Sequence, residues 1–266
     1  LSIETTDAVI LKQTLFGETS RIIYLFSREL GLLRAVAKGA RQRNTSLSYI
    51  LEPLTESQLV LYYYRDRDLH LISKASELNS FHRLRESPLK LAYGLVMAEH
   101  ILHLLPTEDP SPPVYELLVT CLRLLNSGEV NEHFILLIYR VKLLHLLGIA
   151  PRLNACIQCK KPLASRVSIF FPSQGGFICE QCPAPRPSGK MTDRLGERAL
   201  RVRMEVIGFL SRLSASDESI IKERTPAEGL MLEAERLLNF HINYHLGVDI
   251  KAERFLKEAR EIFGKK

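Results

Sequence analysis

The tightest constraint on the fold of this chain lies between Cys156 and Cys182. Four of its five cysteines fall there, as Cys156-Ile-Gln-Cys159 and Cys179-Glu-Gln-Cys182. Cysteines three apart on a tight turn present both sulfurs to one point. Two such pairs supply the four soft ligands of a tetrahedral zinc ion. Gly175-Gly176 between them favours a hairpin that brings the halves together. Two disulfides are the competing chemistry. No basic stretch followed by a short apolar one opens the sequence, so export is not expected, and a reducing compartment favours thiolate ligands. The expected cofactor is one structural zinc ion on Cys156, Cys159, Cys179 and Cys182. Four thiolates close the coordination sphere, and no His-x-Glu motif lies upstream. A zinc enzyme such as a nucleobase deaminase is therefore disfavoured.

With 266 residues and 46% hydrophobic content, the chain has the length and composition of a globular protein of one to three domains. No apolar run approaches the roughly 18 residues of a membrane span, so no membrane is expected. The net charge of +6 and the pI near 9.1 suit nucleic acid, anionic lipid or an acidic protein equally. The distribution of the charge must decide.

Residues 1–80 read as five short strands: Asp7–Lys12, Arg21–Phe26, Leu32–Ala37, Ser57–Tyr64 and Leu69–Ile72, separated by polar or Gly-containing turns. Five strands in that length suit a small closed barrel. The OB-fold and an SH3-like barrel both fit the count, and the OB-fold commonly binds nucleic acid. Between the third and fourth strands, Lys38-Gly-Ala-Arg41-Gln-Arg43-Asn44 carries the densest run of base in the chain and no acid. Lys38, Arg41 and Arg43 are the candidate phosphate ligands, with Arg34 and Arg21 beside them; the competing reading is a solvated loop. Tyr24 and Phe26 share one strand face and Tyr62 and Tyr64 another, and core packing accounts for them as well as base stacking does.

From Pro88 the period becomes helical. Expected helices are Pro88 to Leu104, Glu116 to Leu125 and Glu132 to Leu147, with Pro110–Pro113 as a rigid linker. The run Phe134–Tyr139 is apolar on nearly all faces and predicts burial. After Cys182, Pro183–Pro187 reads as a stiff spacer, followed by helices over Thr192–Leu213, Ala227–Leu246 and Lys251–Phe263. Arg194, Arg198 and Arg201 share one side of the first of these, only partly basic because of Glu197 and Glu205. His241 and His245 are spaced for a metal, but no acid-rich motif accompanies them.

Four stretches occur in one order along the chain. Lys38-Gly-Ala-Arg41 follows the third strand. Leu143 to Pro151, Leu-Leu-His-Leu-Leu-Gly-Ile-Ala-Pro, runs towards the first cysteine pair. Gly175-Gly-Phe-Ile-Cys179 leads to Cys182, and Tyr244-His-Leu-Gly247 precedes Lys251 and Phe255. They are similar to the basic loop, central junction, second zinc half and C-terminal signature of the RecO family of bacterial recombination mediators. The chain departs from that pattern at Lys160-Lys161, where a glycine is usual, and at Ala252-Glu253, where a serine is usual.

The resemblance implies a mixed α and β, multidomain protein. An N-terminal OB-fold barrel over residues 1–80 is followed by an all-helical domain, in parts 81–155 and 183–266, which carries a four-cysteine zinc-binding insertion at 156–182. It implies a cytoplasmic, nucleoid-associated, non-enzymatic protein of DNA repair. Such a protein binds single- and double-stranded DNA, anneals complementary strands, and with RecR loads RecA onto DNA coated by single-strand-binding protein. Some members lack the cysteines, which implies that zinc is not the seat of chemistry. The acidic, apolar C-terminal tail of single-strand-binding protein would be a partner. Arg140 and Lys142, beside the apolar run, are the candidate contacts, against the reading that they are plain helix-surface charges. The alternative function is a zinc-ribbon protein bound to RNA or to the transcription machinery, with Lys160 and Lys161 near the ligands.

Overall fold

A computed structural model describes residues 1–41, 46–183, 199–216, 224–247 and 250–264. Arg43, Arg194, Arg198 and most of the Pro183–Pro187 spacer lie outside these residues. The chain forms two compact units, one of Leu1–Glu132 with Ile250–Lys266, the other of His133–Asp249.

The first unit begins with β1 (Ser2–Phe16), β2 (Ser20–Ser27), β3 (Gly31–Ala37), α1 (Ser46–Ile50), β4 (Glu56–Tyr63) and β5 (His70–Asn79). The five strands close into a barrel in the order β1-β2-β3-β5-β4. Strand β1 serves two neighbours, pairing β4 from Ser2 to Val9 and β2 from Ala8 to Phe16. A bulge between Ile10 and Lys12 bends it from one partner to the other. Closure comes from a short parallel pairing of β3 with β5, Ala35 to His70 and Val36 to Leu71. Alternate residues, among them Ala8, Ile10, Ile23, Leu25, Leu33, Ala35, Leu59 and Leu61, fill the interior. β1 and β5 run longer than the sequence reading, because their outer stretches alternate polar residues with little apolar signal.

Gly31 has φ +77°, and a Cβ there would fall 2.6 Å from the backbone of Asp109. The closeness lets Leu32 bridge to Thr107 and accept a hydrogen bond from Glu108 N at 3.0 Å. Glu108 in turn accepts from Tyr63 Oη at 2.8 Å, and Tyr63 stacks on buried His70 at 4.5 Å. Beyond the barrel come α2 (His82–Arg85), α3 (Pro88–Leu104) and α4 (Pro112–Ser127). Ser87 caps α3, with Pro88 in the first turn. Pro112 and Pro113 open α4 in the same way, which corrects the reading of Pro110–Pro113 as a linker. The first turn of a helix has no use for the N–H that proline lacks.

The second unit holds α5 (Glu132–Leu146), β6 (Arg152–Cys156), β7 (Val167–Phe171), β8 (Gly176–Ile178), β9 (Leu200–Arg203), α6 (Met204–Ala215) and α7 (Glu228–Leu246). His133 to Leu144 of α5 are buried except Lys142, as its all-round apolar pattern predicts. The strands form a sheet in the order β6-β8-β7-β9. The second half is therefore not all-helical. Leu200–Arg203, expected inside a helix, is a strand, because Leu200 and Val202 alternate inward with exposed Arg201 and Arg203 while pairing β7. Phe170 of β7 packs against Phe177, Phe240 and His241 at ring distances of 5.0, 6.4 and 5.5 Å.

The chain then returns to the first unit as α8 (Lys251–Phe263), which lies along α3. Glu99 of α3 caps its N-terminus, accepting from Lys251 N at 3.0 Å and Ala252 N at 2.6 Å. A carboxylate there meets both the orphan N–H groups and the positive end of the helix dipole. Further along, Arg260 donates to Tyr93 Oη at 2.9 Å.

His241 is fully buried, with Nε2–H donating to Ile149 O at 2.6 Å and the His245 ring 4.5 Å away. Burial pulls its pKa from 6.5 down to about 4; the Ile149 bond opposes this and His245 adds to it. Because the folded value lies below the unfolded one, the stability is fully present above pH 6.5 and is lost as pH falls towards 4. The loss reaches about 2 kcal/mol by pH 5. Urea unfolding of His241→Gln should show a shallower fall in stability between pH 7 and pH 5 than the parent. Equal slopes would exclude His241 as the source. The difference between the two proteins separates His241 from protonation of the cysteines.

Candidate nucleic-acid interface and metal centre

The outward face of β2 has two different fates along its length. Phe26 points outward but is buried, with its ring 6.1 Å from Tyr115 of α4. Tyr24, two residues away on the same face, remains partly exposed. Its cross-strand partners are Lys12 of β1 and Arg34 of β3, so three strands place Lys12, Tyr24 and Arg34 in one row. Lys12 Nζ sits 5.5 Å from the centre of the Tyr24 ring, within the range of a cation–π contact. Arg34 donates to Asp68 in the β4–β5 loop at 3.3 Å. With both side chains this exposed, that pair contributes little stability and leaves the guanidinium in reach of solvent.

The turn Lys38–Arg41 follows directly on β3. Ala40 is buried in the barrel core and anchors it, Gly39 has φ +73°, and Lys38 and Arg41 are exposed. Arg41 N donates to Thr19 O at 3.0 Å and its guanidinium to Gly17 O at 2.7 Å. The basic turn is thus tied to the β1–β2 turn. Arg21 differs. It falls on the inward register opposite Ala37, is half-buried at the barrel end, and donates to Gln13. The structure brings Lys38, Arg41 and Arg34 to one side of the barrel and adds Lys12, which the sequence reading passed over. Cross-strand register made Lys12 a neighbour of Arg34, and no local pattern carries that information.

Cysteines 156 and 159 flank the turn after β6, and 179 and 182 the turn after β8. Ile157 N donates to Phe177 O at 2.8 Å, which locks the two turns together. Within the first, Lys160 N donates to Cys156 O and Cys156 N to Lys161 O, both at 2.9 Å. Lys160 has φ +64°, a left-handed position that glycine takes most readily, and its Nζ donates to Ile157 O at 2.6 Å. The four sulfurs lie within 4.8 Å of one another, with Cys156–Cys182 and Cys159–Cys179 at 3.8 Å. A disulfide would need about 2.0 Å. A tetrahedron with metal–sulfur bonds of about 2.3 Å has edges of about 3.8 Å. The set therefore fits one metal ion. Among the described residues it is the one group of three or more His, Cys, Asp or Glu side chains so assembled. Burial opposes ionisation of Cys156, but backbone N–H groups around it prevail and bring its thiol down to about 6. Cys121, in α4, is a buried thiol raised to about 12 by burial, in keeping with a core residue.

Arg140 and Lys142 are not the exposed pair expected for a partner tail. Arg140 is fully buried, and its Nη1 meets Glu235 of α7 at 3.1 Å. His133 Nε2 meets the other oxygen of Glu235 at 3.1 Å. Lys142 is half-buried and donates to Ser216 O. A guanidinium surrounded by apolar residues needs an internal carboxylate, and Glu235 supplies it.

The family profile described as "Recombination protein O N terminal" matches residues 1–81, and that described as "Recombination protein O C terminal" matches residues 85–254. The DNA repair protein RecO of Salinibacter ruber is 37% identical over 153 residues, 58% of this chain and 59% of that protein. The protein of the same name from Rubrobacter xylanophilus is 30% identical over 237 residues, 89% of this chain and 90% of that protein. That from Roseiflexus is 28% identical over 257 residues, 97% of this chain and 86% of that protein.

Replacing Glu235 by Leu should destabilise the second unit by about 3–5 kcal/mol, the usual effect of removing one partner from a buried ion pair. The double variant Arg140→Leu, Glu235→Leu should recover much of that loss. A denaturation midpoint unchanged in Glu235→Leu would rule out this pairing as a structural requirement.

Proposed function

The chain belongs to the RecO family, and from that premise we propose that it is a DNA-binding recombination mediator of DNA repair. It binds single- and double-stranded DNA and anneals complementary strands without catalysing a covalent step. The observation that carries the reading is the cationic side of the barrel, where Lys38, Arg41, Arg34 and Lys12 are held together by register and by the tie to Gly17 and Thr19. Closure in the order β1-β2-β3-β5-β4 supports the OB-fold over the SH3-like alternative. OB-folds bind oligonucleotides on the β2–β3 face between the β1–β2 and β4–β5 loops. Arg41 bonds to the first of these loops and Arg34 to the second.

The mechanism is electrostatic. Each cation that meets a phosphate releases condensed counterions, and neutralised strands approach one another more readily. Contacts to phosphates carry no base information, so binding is independent of sequence. Arg43 and Arg21 stay in the proposed set, Arg21 in a supporting position at the barrel end. RecR, single-strand-binding protein and, through them, RecA are the proposed partners. The proposed setting is the bacterial cytoplasm; no described helix is long and apolar enough to cross a membrane. The functional segments we propose are residues 1–80 for DNA, 156–182 for zinc, and 81–155 with 183–266 as support.

We assign one zinc ion to Cys156, Cys159, Cys179 and Cys182. Bound there, it supplies a closed structural crosslink rather than a reaction centre. That Lys160 turns back onto Ile157 O favours this reading over a ribbon that grips RNA with its lysines.

In Lys38→Ala, Arg41→Ala, the dependence of log affinity for single-stranded DNA on log salt should flatten by about 1.4, two phosphate contacts at roughly 0.7 each. Annealing should slow in parallel, and an unchanged slope and rate would refute the assignment. Cys156→Ser should remove the stoichiometric zinc measured by atomic absorption and lower thermal stability. DNA affinity per folded molecule should change less than twofold, and a selective loss of DNA binding at full stability would argue for the ribbon reading instead.

A further inference from the structure

The outward row on the barrel does not stop at Tyr24. After the bulge, β1 turns Lys12, Thr14 and Phe16 to the same face, opposite Tyr24, Ile22 and Ser20 of β2. Phe16 is the last of them, at the edge of the turn that Arg41 grips through Gly17 O. Phe16 is 46% exposed, whereas Phe26, also outward on β2, is buried against α4. Exposing a phenylalanine at a hairpin end costs hydrophobic burial, and neither the barrel interior nor the turn requires an aromatic there. Leu15 is exposed too but falls on the inward register beside Arg21, at the barrel end.

We infer that Phe16 is a stacking platform for the bases of single-stranded nucleic acid. This rests on the reading of the cationic face as the DNA site. The surroundings of Phe16 complement the two halves of a nucleotide. Arg41 grips the turn that follows Phe16 through Gly17 O and Thr19 O, and exposed Lys38 belongs to the same basic turn, so cations that can hold phosphates neighbour Phe16, with Glu18 the acidic residue of the β1–β2 turn. A bare aromatic face next to them matches the other half of a nucleotide. Tyr24 is less suited, since Lys12 already sits over its ring. Stacking requires unpaired bases, so Phe16 gives the face a preference for single strands that phosphate contacts alone do not provide.

The test uses the full chain and two oligonucleotides of equal length, one of thymidines and one of abasic sites. Phe16→Ala should bind the thymidine strand about 5- to 150-fold more weakly than the parent, the range for loss of one aromatic–base stack. It should bind the abasic strand as the parent does. Phe16→Trp should restore affinity. The chain has no tryptophan, so this residue is also the sole indole and its emission should be quenched by the thymidine strand and not by the abasic one. If Phe16→Ala matches the parent on both strands, or weakens both equally, the inference is overturned while the DNA-binding reading stands. If the parent binds neither strand, both are overturned.

Discussion

Two residue pairs close this barrel, Ala35 with His70 and Val36 with Leu71, and what the first unit presents to solvent depends on that closure. Without it, β3 and β5 would be open edges with unpaired N–H and C=O groups, ready to join another chain. With it, the backbone is satisfied, the interior is taken up by side chains, and only the outer faces and the ends remain for function. The parallel pairing is short, so its surroundings matter. His70, one of the paired residues, is buried beneath Tyr63, and Tyr63 is tied by Glu108 to the loop that lies on β3. Burial lowers the pKa of His70 while Glu108 works in the other direction, so a neutral ring sits at the seam.

Closure also sets a division of labour on the outer surface. Around Phe26 the barrel is covered by α4, and buried Glu56 of β4 receives a hydrogen bond from Tyr115 at 3.2 Å. Around Tyr24 it is uncovered, and its cations collect there. The second unit solves a different problem. Its core admits a charged residue, Arg140, and answers it with Glu235 and His133, while the cysteine turns are joined by backbone hydrogen bonds that bring four sulfurs together.

Most local features could be read from the sequence because their signals are local. Cysteine spacing picked out the four thiols that come together, Pro88, Gly128 and Gly247 marked helix ends, and alternation marked the cores of all five barrel strands. Three things could not be read, each for a physical reason. Lys12 joins Arg34 only through the register of β1 on β2 and β2 on β3, and a bulge at Leu11 helps to set that register. Arg140 reads as a candidate contact for a partner's acidic tail because Glu235, its counterion, is 95 residues further along the chain. Leu200–Arg203 spans four residues, too few for period two to be told from a helix turn, and its strand partner Val167–Phe171 lies between the two cysteine turns, more than 25 residues back along the chain.

The return of α8 to α3 has a consequence for biosynthesis. Residues 133–249 are made after α3 and before α8, and at typical elongation rates that interval lasts roughly 10 s. Throughout it, the side of α3 that will receive α8 has no partner from its own unit, and Glu99 has no helix end to cap. A nascent barrel must therefore wait on the ribosome with that side of α3 uncovered, its Glu99 carboxylate and Tyr93 hydroxyl still without the partners that α8 brings.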